Sequence, residues 1–199
     1  MNRRTAGAYH GSFLLQLVRP RRTNCQMSLA SALPLPSRLS EAHGNPIREL
    51  WDRLSRVPGG DRLFTRAVGL AAPYTASIGA RVEVLRRGHA EVTLRDRRAV
   101  RNHLRCVHAV ALVNLAELAG NIALAYSLPD DARFIVAGLD IEYLEKARGK
   151  LRAVVDCPVP PSSERCEYRV PVDIQNAAGR VVARATLRTL VGPKPASRR

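Results

Sequence analysis

From Asn45 onward the apolar positions fall into runs of two different periods. Ile47, Leu50, Trp51 and Leu54 recur at helical spacing behind Asn45-Pro46, a capping residue followed by a proline suited to the first helical position. Pro58-Gly59-Gly60 ends that helix, a second is predicted from about Asp61 to Val68, and Pro73-Tyr74 leads into the sheet. Ile78 to Leu85 and Ala90 to Leu94 alternate as strands across a turn at Gly88. After a basic loop, Arg95 to Arg105, a long apolar stretch from His108 to about Ser127 reads as a helix, stopped at Leu128-Pro129. Four strand-like segments follow: Phe134 to Leu144, Leu151 to Cys157, Tyr168 to Gln175 and Val181 to Val191. Asn176-Ala177-Ala178-Gly179 forms the hairpin turn before the last of them.

Two strands, one long helix and four strands make an α+β order. A helix apolar nearly all round must be covered on most sides. A curved antiparallel sheet of about six strands wrapped around one long central helix, with extra N-terminal helices, meets that need.

The chain has 199 residues, enough for one domain with extensions. Residues 1–44 differ from the rest: the segment is rich in arginine and serine and has no acid before Glu41, which predicts a disordered or targeting-like extension. The domain then spans 45–192, and 193–199 is expected to be a disordered basic tail. The stretch from Ala109 to Leu128 is interrupted by Glu117 and two asparagines, so it is expected as a buried helix rather than a membrane span.

Composition changes this picture little. The net charge of +15 comes almost entirely from arginine. It suits nucleic acid, an anionic membrane or a polyanionic small ligand such as coenzyme A. No recognition helix, aromatic-studded basic strand or zinc module accompanies it, which argues against nucleic acid. The four cysteines lack metal-ligand spacing and are expected as free thiols in the cytoplasm. Neither a metal nor a cofactor is expected.

One stretch carries candidate chemistry: Asn102, then five residues, His108-Ala109-Val110, and Glu117 nine residues after the histidine. This resembles the signature of the PaaI-like acyl-CoA thioesterases, of the phenylacetate-pathway type, where the histidine precedes two glycines and an Asp or Glu follows at the same spacing. Ile141 to Leu144 and Lys146 to Gly149 resemble the strand and turn that follow the helix in a branch of that superfamily mostly of unknown function. The resemblance implies the hotdog fold and hydrolysis of an acyl-CoA thioester between two subunits. It implies Glu117 as the base or nucleophile, the Ala109 N–H as oxyanion donor, and Asn102 and His108 as orienting groups. It also places the CoA phosphates near Lys146, Arg148 and Lys150. Ala109 and Val110 depart from the two glycines and are expected to crowd the approaching thioester. The departure leaves open a non-catalytic acyl-CoA or lipid-binding hotdog protein as the alternative.

Physical argument adds to this. A helix start offers unpaired N–H groups and a positive dipole end to a developing oxyanion. Glu117, among Leu115, Leu118 and Ala119, is expected to be buried and desolvated. Asn114 and Asn121 share its face and are expected as hydrogen-bonders at a subunit interface. Nine residues of helix make about 2.5 turns and about 13.5 Å. His108 and Glu117 therefore lie on opposite sides of one helix, and a site using both requires a homodimer or a dimer of dimers.

Overall fold

The computed structural model describes residues 44–195. The expectation for the segment before Gly44 lies outside these residues. Asn45 caps helix α1 (Pro46–Leu54) through its side-chain oxygen, which accepts from the Arg48 N–H at 3.0 Å, with Pro46 in the first turn. Helix α2 (Gly60–Ala71) outruns its expected end at Val68, and Pro73 opens a single turn, α3 (Pro73–Ala76), rather than leading straight into the sheet. Trp51 and Phe64 lock α1 to α2 edge-to-face, with ring centroids 5.0 Å apart.

The sheet holds strands β1 (Arg81–Arg86), β2 (His89–Leu94), β3 (Ala132–Tyr143), β4 (Leu151–Asp156), β5 (Cys166–Gln175) and β6 (Val181–Pro193). Their order is β1-β2-β4-β5-β6-β3, every neighbouring pair antiparallel. The predicted β5–β6 turn is present: the Asn176 side chain accepts from the Ala178 and Arg180 N–H groups at 3.0 and 3.1 Å. Strand β6 continues past its expected end through Pro193. The Lys194 N–H then donates to the Asp131 carbonyl at 2.7 Å, so the tail is anchored at its start rather than loose from residue 193.

Helix α4 (Ala109–Ser127) lies across the sheet's concave face. Leu115, Ala116, Ala119, Ala123 and Leu124 are fully buried, as are Val92, Leu94, Val155, Val170 and Val172 on the strands. It is long and apolar enough to cross a membrane by composition alone, but most of it is buried by its own domain. Its C-terminal carbonyls would lack partners. Helix α1 supplies them: the buried Asn45 amide donates to the Ala125 and Leu128 carbonyls at 2.8 and 3.2 Å, and Arg48 Nε donates to that of Tyr126 at 3.0 Å. The Arg48 cation also suits the negative end of the helix.

Helix and sheet approach closely at Gly120, where an added Cβ would stand 2.8 Å from Leu187 Cδ2. Gly120→Val should therefore destabilise the protein by about 1–3 kcal/mol through overpacking. Gly120→Ala should cost less, because alanine recovers about 1 kcal/mol of helix propensity. Thermal melts of both variants check this; equal melting temperatures for parent and valine variant would contradict the close packing.

Candidate active site

The start of α4 is held by a folded-back loop. Arg101 and Val107 form an isolated antiparallel bridge, and the His108 N–H donates to the Val100 carbonyl at 2.8 Å. Between them Asn102 closes a tight turn. Its N–H donates to the Cys106 carbonyl at 2.9 Å, and its side-chain oxygen accepts from the Leu104 N–H at 2.9 Å. Arg105 takes the left-handed backbone conformation this turn requires, with φ 56°. Asn102 thus shapes the loop that delivers His108.

His108 is the N-cap of α4. Its Nδ1 accepts from the Val110 N–H at 3.1 Å, which leaves Nε2 to carry the proton of a neutral ring and to act as a donor. The Ala111 and Leu112 N–H groups both donate to the His108 carbonyl. Of the first-turn N–H groups, that of Ala109 alone lacks an acceptor among the described residues. Val110, in the first turn of α4, is 52% exposed in the single chain.

The turn bearing Lys146, Arg148 and Lys150 is fastened to the same loop. The Val107 N–H donates to the Ala147 carbonyl at 2.9 Å, and the Gly149 N–H donates to Asp96 Oδ2 at 2.9 Å. Asp96 Oδ1 accepts from Arg101 Nε at 2.6 Å. Ala147 is buried, and the three cations around it are exposed. Lys150 is partly engaged by Glu83 at 3.4 Å, whereas Lys146 and Arg148 make no ion pair among the described residues. Asn102, His108, Ala109 and the basic turn therefore share one end of the domain.

Glu117 is elsewhere. It projects from the opposite side of α4 into a groove between α1, α2 and β3. The expectation that it is buried is corrected: in the single chain it is exposed, on a strip of α4 beside the groove that the rest of the domain leaves uncovered. Asn114 also departs from its expected role, since its amide donates to the Tyr74 carbonyl of α3 within the chain at 3.2 Å. Asn121 lines the groove, with a buried side-chain oxygen that finds no partner among the described residues. No group of acids, histidines or cysteines that could hold a metal occurs among those residues.

Two residues with evident roles escaped the sequence reading. Tyr143, at the end of β3, donates its hydroxyl to the Ala109 carbonyl at 3.4 Å. Asp96 joins the loop to the basic turn, and its one visible signal was a lone acid among five arginines. The Arg101 guanidinium, followed by the Gly149 N–H, holds its carboxyl below the ordinary value of 3.8 against the opposing effect of burial. A lowered carboxyl contributes stability above its unfolded value and loses it as pH falls through the folded one. Asp96→Asn should therefore lower the melting temperature at pH 7, and the gap from the parent should narrow as pH drops below 3.8. A gap independent of pH would contradict this role.

Comparison with known proteins fits this architecture. Residues 60–191 match the family model described as a domain of unknown function (DUF4442), more than half of the chain. A crystal structure from a structural-genomics programme, bearing no functional name, is 36% identical with a TM-score of 0.65, covering 74% of this chain and 98% of its own. A thioesterase-family protein from Silicibacter pomeroyi is 18% identical with a TM-score of 0.57, covering 64% and 95%. A thioesterase from Haemophilus influenzae is 16% identical with a TM-score of 0.55, covering 63% and 87%. No curated protein matches the chain significantly. The chain belongs to the DUF4442 family, and its fold is the hotdog fold of the thioesterase-family structures.

Proposed function

We propose that the protein is a homodimeric, cytoplasmic acyl-CoA thioesterase whose active site joins Glu117 of one subunit to His108 and Ala109 of the other. The observation that carries this reading is the single unpaired Ala109 N–H at the positive end of α4, with a solvent-facing carboxylate on the far side of the same helix.

Strand β3 supports the pairing. It is a sheet edge of 12 residues, and Ile135, Val136, Leu139 and Ile141 along it are only partly covered. A long apolar edge of this kind invites a partner strand. Its first half walls the Glu117 groove, and its last residue, Tyr143, reaches Ala109. If two copies of β3 pair antiparallel about a two-fold axis, the Ala109 end of one subunit comes alongside the Glu117 groove of the other.

In such a site the thioester carbonyl oxygen lies against the Ala109 N–H, where the helix dipole and the donor stabilise the negative charge that develops on it. His108 Nε2–H is a second donor at that end. Glu117 takes a proton from water as the water attacks the carbonyl carbon, or attacks it directly to form an anhydride that water then opens. The C–S bond breaks, and CoA leaves as thiol with the acyl group released as a carboxylate. Lys146, Arg148 and Lys150 are suited to the CoA phosphates as charge-assisted donors.

Glu117→Gln keeps the shape of the side chain and removes its basicity. It should reduce thiol release from acyl-CoA by about 10² to 10⁴-fold while sedimentation still reports a dimer. Turnover within about threefold of the parent, well short of a general-base loss, would show that the carboxylate is structural. A parent that binds acyl-CoA without releasing thiol would instead be the non-catalytic binder.

A further inference from the structure

The groove that receives Glu117 has its own shape and chemistry. Its volume is about 780 Å³, within the range of ligand pockets, and its lining is mostly apolar. Leu118, Ile122 and Ala125 of α4 form the floor, Leu50 and Val68 of the N-terminal helices form one wall, and Phe134 of β3 forms the other. At the far end Lys194 Nζ donates to the Gly44 carbonyl at 2.6 Å, beside Leu128 and Pro129. From Glu117 to Leu128 the helix axis runs roughly 16 Å. An extended chain advances about 1.2 Å per bond, so that length holds a linear chain of about a dozen carbons.

We propose that this groove binds a linear aliphatic acyl chain of about 10 to 14 carbons, with its thioester end at Glu117 and its methyl end toward the Gly44–Lys194 contact. The inference rests on Glu117 being the reacting carboxylate, and it names the substrate class of that site. Three observations favour this occupant. The floor is apolar apart from Asn121, the carboxylate stands at one end only, and the groove is much longer than an aromatic ring. A short or arylacetyl group would leave most of the floor facing water. Each methylene fully removed from water favours binding by about fourfold, so the preference for a long chain should be steep.

The test compares hydrolysis of butyryl-, phenylacetyl- and dodecanoyl-CoA by the full chain and by Ala125→Trp, which places an indole across the floor. The parent should prefer dodecanoyl-CoA over each of the others by at least tenfold in kcat/KM. The ratio of dodecanoyl to butyryl should fall at least tenfold in the tryptophan variant. Should that variant fail to fold, Ala71→Trp obstructs the groove from the opposite wall and is read in the same way. A parent without chain-length preference, or a ratio that a folded tryptophan variant leaves unchanged, would overturn the proposal. Binding titrations separate this inference from the catalytic reading. If no acyl-CoA is hydrolysed, the thioesterase reading fails. The groove proposal then stands only if dodecanoyl-CoA binds at least tenfold tighter than butyryl-CoA and the tryptophan variant abolishes the difference.

Discussion

Helix α4 has 19 residues with a single charged side chain among them, and the domain is organised to take that helix out of water. The antiparallel sheet covers it on one side. Helices α1 and α3 cover part of the other, and Asn45 and Arg48 satisfy carbonyls at its C-terminus. Its N-terminus is treated differently. His108 closes three of the first-turn N–H groups and leaves that of Ala109 open. A helix shielded on its flanks and left open at its positive end keeps its dipole aimed at one place. That place is where the proposed chemistry needs a developing oxyanion to sit.

The same burial explains why the two proposed catalytic groups stand apart. Charge is tolerated on α4 only where the domain leaves the helix uncovered, which is the strip beside the groove where Glu117 emerges. Nine residues of helix set that strip opposite the open N–H. Neither group can reach the other within a chain, and the uncovered β3 edge offers the surface through which two chains can bring them together.

Much of the fold was legible because its signals are local. The apolar run of α4, the alternation in the strands and the turn at Asn176 each follow from neighbouring residues. The span of α2 was cut short because Gly69 and the exposed Leu70 break its apolar spacing, and α3 hid behind the proline that opens it. For the candidate site, the motif named Asn102, His108, Ala109 and Glu117, but their contacts came from tertiary structure. Asp96 reaches Gly149 across 53 positions and Tyr143 reaches Ala109 across 34, separations at which spacing carries no signal. The exposure of Glu117 was hidden for a related reason: which strip of an apolar helix the domain leaves uncovered is decided by tertiary packing and not by neighbours in sequence.

The central claim is that one site takes its carboxylate and its oxyanion donor from different subunits. Ala109 occupies the first helical position, where a proline is tolerated, and His108 already has the extended backbone (φ −65°, ψ 141°) that a following proline requires. Ala109→Pro therefore deletes the open N–H without removing a helix hydrogen bond. Glu117→Gln and Ala109→Pro proteins, each nearly inactive, should be unfolded together and refolded as a mixture. Random pairing then gives one intact site in every mixed dimer, and thiol release should recover to about a quarter of the parent's. A mixture no more active than its two components, with mixed dimers verified, would contradict a shared site.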